Sequence, residues 1–144
     1  MIKNKVKRFS ILALLFILTA FVLISCHEGY VSKDGESLKK YVEPAAFKNL
    51  VENPKDDIWI IDVRPASSYN NGFIPGAKSF PSSTILNRLD ELPKDKYLIF
   101  YCETGGRAQR VIKKLEEKGY TRMMNWGGSG RWKWEFEKPS GKQE

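Results

Sequence analysis

Histidine occurs once in this chain, at His27, and cysteine twice, at Cys26 and Cys102. His27 opens a polar stretch, "HEGYVSKDGESLKK", so no histidine is offered as a catalytic base. Ser-His-Asp and Cys-His mechanisms are therefore excluded on inventory. An excess of one charge is also scarcer than the formal net charge of +7 suggests. Four of the basic residues, Lys3, Lys5, Lys7 and Arg8, crowd a start that contains no acid. Past residue 25, 20 basic residues face 17 acidic ones, interspersed along the chain. No basic stripe is left to follow a phosphate backbone, and nucleic acid is not an expected partner. Long apolar runs are missing except for Ile11 to Ile24, broken only by Thr19. A chain of 144 residues has room for one ordinary domain, and its 42% hydrophobic and 12% aromatic content suits a globular core.

The apolar run is shorter than the roughly 18–20 residues of a membrane span. A basic start, an apolar stretch and then small residues have the layout of a secretory signal. The segment "LISC", Leu23 to Cys26, resembles a bacterial lipoprotein box. That resemblance implies cleavage before Cys26 and lipidation of Cys26, hence an exported protein lipid-anchored to a bacterial membrane, on its periplasmic or outer face. Two or more acyl chains make a stable anchor, each buried methylene contributing about 0.8 kcal/mol. The expected organisation is a signal peptide over 1–25, a flexible tether over 26–40, a domain over 41–137 and a frayed tail over 138–144. A tether of that length has a reach on the order of 20 Å.

Within the exported part, Cys102 is then the only thiol. No intramolecular disulfide can form, and a dithiol redox role lacks its second cysteine. From Tyr41 onward strand and helix signals alternate. Pro44 sits where a first helical turn tolerates it, followed by Phe47, Leu50 and Val51 at helical spacing. "IWIIDV" (Ile58 to Val63) and "YLIFY" (Tyr97 to Tyr101) read as buried strands, and "TRMMNW" (Thr121 to Trp126) as a last one. "RPASSYNNG" reads as a turn or short helix ending at Gly72, and "FIPGAKSFP" as extended chain. Ile85, Leu86 and Leu89 mark one face of a helix that Ser82 or Ser83 could cap. Ala108, Val111, Ile112 and Leu115 mark another, stopped by Gly119. This alternation predicts an α/β fold: a central, mostly parallel sheet flanked by helices on both faces. Ligands of such sheets bind beyond the carboxyl ends of the strands, where Cys102 falls.

The junction "YCETGGRA" carries the chemistry. Unpaired N–H groups of the helix that opens at Arg107 point back toward the loop. Gly105 and Gly106 allow the chain to curl, so that amides from Glu103, Thr104, Gly105 and Gly106 turn inward as an anion-holding nest. A sulfur anion in that nest is hydrogen-bonded, and Arg107 adds a forked cationic donor for an anionic substrate. Such a cysteine is a nucleophile that needs no general base. Glu103 opposes this, since its charge beside the sulfur disfavours the anion unless the side chain points to solvent. A lone cysteine after a strand is otherwise a small core residue, which would need neither the glycines nor the arginine.

Three blocks in order resemble the rhodanese domain, a family of sulfurtransferases. "IIDVRPASSYNNGFIPGA" matches its early block through Asp62, Arg64 and Ile74-Pro75-Gly76-Ala77; "CETGGRA" matches its active loop; "WGGSGRWKW" matches its closing Gly127, Gly128 and Trp132. One departure is Phe73, where the family usually has histidine. The resemblance implies that Cys102 takes sulfur from a small sulfur-containing anion as a persulfide and passes it to cyanide or a thiol, with Arg107 and the loop amides holding the anion. It implies Asp62 and Arg64 as a structural pair supporting the loop, Trp132 and Trp134 as packing residues, and no metal or organic cofactor. Two alternatives stay open. One is a lipid-anchored binding or sulfur-sensing module without turnover. The other is a cysteine-dependent phosphatase or arsenate reductase, whose loop would be one residue longer than Glu103 to Gly106 and so roomier for a tetrahedral oxyanion.

Overall fold

A computed structural model describes residues 29–140. The expected signal peptide, Cys26 and His27 lie outside the described residues, as do residues 141–144.

Four strands form one sheet: β1 (Ile58–Asp62), β2 (Lys78–Ser79), β3 (Tyr97–Cys102) and β4 (Met123–Gly128). Their order is β2-β1-β3-β4 and every pairing is parallel. β3 is therefore interior, which is why "YLIFY" is apolar on both sides. Side chains alternate between two cores. Phe100 and Cys102 face α3 (Gly106–Glu116), whereas Ile99 and Tyr101 face α1 (Pro44–Glu52). Helices cover both faces, as the strand–helix alternation predicts.

Pro44 sits at the start of α1, where its missing N–H costs nothing, and the helix turns Phe47 and Leu50 fully inward. Phe47 stacks on Trp126, ring centroids 4.3 Å apart. Burying each such ring contributes about 2 kcal/mol. A short helix α2 (Ala66–Asn71) follows β1 and ends at Gly72. On the opposite face α3 buries Ala108, Val111, Ile112 and Leu115, and stops at Gly119, whose φ of 84° suits glycine.

Three expectations are corrected. The tether expected over 26–40 is packed structure from Gly29 onward. Its backbone runs antiparallel along the outer edge of β4, with hydrogen bonds Gly29 N to Asn125 O (2.7 Å), Asn125 N to Tyr30 O (2.8 Å) and Ser32 N to Met123 O (2.9 Å). A 3₁₀ helix then spans Glu36–Tyr41, burying Leu38 and Tyr41. The physical reason is the exposed edge of β4, whose unpaired amides and carbonyls need partners. Second, the helix expected through Ile85, Leu86 and Leu89 shrinks to one 3₁₀ turn, Ile85–Asn87, with no side-chain cap from Ser82 or Ser83. Ile85 and Leu92 still pack under α3, so the apolar pattern recorded burial without helical length. Third, the last strand, expected over Thr121 to Trp126, runs instead over Met123–Gly128, because a bulge at Trp126, between the Phe100–Asn125 and Tyr101–Gly127 pairings, carries the ladder on through the two glycines.

Candidate active site

β3 delivers Cys102 at its carboxyl end, and α3 begins four residues later. Between them Gly105 takes φ 89°, a left-handed conformation that a side chain would strain. That twist turns its amide back onto the thiol: Gly105 N donates to Cys102 Sγ at 3.1 Å. Among the described residues it is the one loop amide bonded to the sulfur. Gly106 and Arg107 open α3, so their amides lie beyond the reach of any intrahelical carbonyl. Cys102 is 1% exposed, with its side chain against the α3 core. Of the four amides expected to turn inward, that of Gly105 alone bonds the sulfur, which is set deeper than a freely exposed nucleophile.

The loop is fixed from below by β4. Asn125, fully buried, donates from Nδ2 to Gly105 O (3.1 Å) and to Gln109 Oε1 (3.1 Å), and its Oδ1 accepts from Gly127 N (3.0 Å). The bulge at Trp126 lets Asn125 aim at the loop while Gly127 stays in register with Tyr101. A β-carbon on Gly128 would stand 2.5 Å from Glu103 O, and one on Gly105 would stand 3.1 Å from Gly127 Cα. The paired glycines after Trp126 therefore exist so that two backbones can touch. Asn125 and Gln109 escaped the sequence reading. Their signals were a polar residue inside the apolar run "MMNW" and another on the buried side of the α3 pattern.

Glu103 and Arg107 are brought together, though not as expected. Four residues apart at the helix start, they form an ion pair with each other, each side chain 40% exposed. Ser68 Oγ also donates to Glu103 Oε1, at 3.4 Å. Arg107 is thus occupied by Glu103 rather than held open as a fork, and Glu103 is turned to the rim and neutralised there. An exposed pair of this kind contributes under about 1 kcal/mol, so an incoming anion can compete for the guanidinium. Thr104 is exposed at the tip of the loop, its Oγ1 3.9 Å from where a β-carbon on Gly106 would sit.

Asp62 and Arg64 do form a pair, on the opposite face of the sheet from the sulfur. Asp62 is fully buried and Arg64 is 8% exposed. Arg64 Nε and Nη2 donate to Asp62 Oδ2 at 2.9 and 2.6 Å, and Nη2 also donates to Gly72 O at 2.7 Å. Tyr101 Oη donates to the same carboxylate at 2.7 Å and accepts from Ile74 N at 3.1 Å. Burial, then the Asp62 carboxylate, push the Tyr101 hydroxyl far above its ordinary value, so it stays a donor. The network ties the "DVR" and "IPGA" segments to the strand that carries Cys102. It supports the loop through the strand, touching none of its atoms. Phe73 lies buried nearby, stacked on Tyr69 at 4.0 Å. Trp132 packs edge-on to Phe47 and Trp134, also on the α1 side.

The comparisons with known proteins agree with this architecture. The family model described as the rhodanese-like domain matches residues 43–133. A protein named sulfurtransferase from Allochromatium vinosum is 33% identical over 73 residues, 51% of this chain and 68% of its own. The thiosulfate sulfurtransferase GlpE of Pseudoalteromonas translucida is 31% identical over 89 residues, 62% of this chain and 83% of its own. Among solved structures, a rhodanese-like domain protein from Staphylococcus aureus superposes with a TM-score of 0.60 at 30% identity, covering 68% of this chain and 96% of that one. An all-parallel sheet, a cysteine at its central strand end and a glycine-curled loop thus sit inside the matched segment, and the chain belongs to the rhodanese-like family.

Proposed function

We propose that the protein is a sulfurtransferase that carries sulfane sulfur on Cys102. The observation that carries this reading is the Gly105 amide aimed at Cys102 Sγ, in a loop that has no histidine among the described residues. A hydrogen bond from a backbone amide favours the anionic sulfur, which is the attacking species. Sulfurtransferase names among the relatives support the same reaction class, and one of them names thiosulfate.

In the first half-reaction, the Cys102 thiolate attacks the outer sulfur of thiosulfate. A new S–S bond forms at Sγ, the donor's S–S bond breaks, and its electron pair leaves with sulfite. Arg107, drawn from Glu103, and the amides of Gly106 and Arg107 stabilise the departing anion. In the second, cyanide or a thiolate attacks the outer sulfur of the persulfide and returns the electron pair to Sγ. Two half-reactions through one covalent intermediate give ping-pong kinetics. We further propose that lipidated Cys26 anchors the protein to a bacterial membrane, on the strength of the "LISC" box.

Thiosulfate treatment of the full-length chain is expected to add the mass of one sulfur atom at Cys102, with cyanide removing it. No added mass with any sulfane donor overturns the transfer reading. The depth of Cys102, at 1% exposure, favours the second reading, a sulfur-sensing module; slow loading without turnover is its signature.

A further inference from the structure

The row of cations along α3 goes largely unused in the chemistry above. Arg107, Arg110 and Lys114 stand at i, i+3 and i+7, which places them along one flank of the helix over about 10 Å. With Ile85, Leu86, Val111 and the hydroxyl-bearing Ser82 they line a cleft of about 110 Å³ at the start of the helix that follows the Cys102 loop. Three apolar side chains make its floor and three cations its rim. Arg107 is paired with Glu103, but among the described residues Arg110 and Lys114 have no ion-pair or hydrogen-bond partner. Like charges four residues apart disfavour a helix, so this arrangement gains nothing for the fold. Arg110 also bends back toward the loop: its Nη1 is 4.0 Å from where a β-carbon on Gly106 would sit. Its guanidinium therefore lies one residue from the glycine that bonds the sulfur.

We propose that this cleft binds the carboxylate end of a low-molecular-weight thiol, the sulfur acceptor, while the thiol end reaches Cys102. The proposal rests on the sulfur-transfer reading and names its acceptor class. A cleft this small encloses a fragment, a carboxylate on a short carbon chain, and is well below the several hundred Å³ of a site that engulfs a whole ligand. Methylenes suit the floor of Ile85, Leu86 and Val111. A carboxylate suits Arg110, whose fork can bond both oxygens, with Lys114 as a point charge beside it. Cyanide and thiosulfate have no carbon chain to use that floor. In the step itself, the acceptor thiolate attacks the outer sulfur of the Cys102 persulfide. The new S–S bond forms on the acceptor, the bond to Sγ breaks, and its electron pair restores the Cys102 thiolate. The persulfide's proton leaves with the acceptor.

The test loads the full-length chain with thiosulfate and compares two acceptors, mercaptosuccinate and uncharged 2-mercaptoethanol. Arg110→Gln combined with Lys114→Gln is expected to lower the ratio of their kcat/KM values about tenfold, by removing charge-assisted hydrogen bonds to the carboxylate alone. Added salt is expected to lower the ratio in the unaltered protein and leave it flat in the variant. Both residues are exposed, so the fold is expected to survive, as circular dichroism would report. A ratio unmoved by the substitutions overturns the acceptor site alone. Failure of the chain to take up sulfur from any donor overturns the transfer reading instead, and the acceptor class with it.

Discussion

Glu103 and Arg107 pair at the solvent-facing rim of the loop, and in the proposed transfer an incoming anion has to compete with that pairing. Removing the carboxylate's charge frees the guanidinium. Glu103→Gln is expected to raise kcat/KM for thiosulfate by about two- to fivefold, the scale of an exposed ion pair. Arg107→Ala is expected to raise the donor's KM and lower turnover, and steady-state kinetics on both variants separates the two effects. An unchanged kcat/KM in the Arg107 variant would remove that residue from the reaction. On the other face of the sheet, Asp62→Ala would strand the buried Arg64 and the Tyr101 hydroxyl without their acceptor. The expected loss is about 3–5 kcal/mol in denaturant unfolding, the penalty for an orphaned buried charge. The sequence placed Cys102 at a strand end and Gly105 in a tight turn before a helix, because those positions follow from residue type and order. It missed how Arg107 is engaged, because a rotamer is chosen by neighbours. The four-residue spacing from Glu103 was nevertheless in view.

Strand β4 does more for the site than its apolar sequence discloses. Its bulge aims Asn125 at the loop, and its two terminal glycines admit the loop backbone. Gly128→Ala would press a methyl group into Glu103 O, and overpacking of this kind costs about 1–3 kcal/mol. A lowered melting temperature together with loss of Cys102 loading is the expected result; unaltered loading would show that the loop tolerates displacement. The segment along the outer edge of β4 makes a second element-scale case. Leu38 is buried beneath it, so Leu38→Ala is expected to cost about 2–5 kcal/mol by thermal or chemical unfolding, where a free tether would lose nothing. Polar composition and weak periodicity concealed this segment in the sequence, because its backbone rather than its side chains makes most of the bonds. The turn at Ile85–Asn87 erred in the other direction: apolar residues at helical spacing were buried by a single turn.

At the scale of the whole molecule, three sequence blocks far apart in the chain meet around one strand. The "DVR" and "IPGA" segments brace β3 from the α1 side, and the Gly-Gly segment supports the loop from β4. Their order in the chain was readable from motifs; their opposite sides of the sheet were not, since that depends on which way each strand residue points. The packed N-terminal segment also changes the geometry of the proposed attachment. It runs along β4 away from the end of the sheet that bears Cys102, so its start, Gly29, bonded to Asn125, is the part nearest that end. Only His27 and Glu28 separate Gly29 from Cys26, a fully stretched span of about 10 Å. If Cys26 carries the proposed lipid, that short span would keep the loop end of the sheet nearer the bilayer than the opposite end, so the anchor would set which side of the domain meets molecules held at that surface.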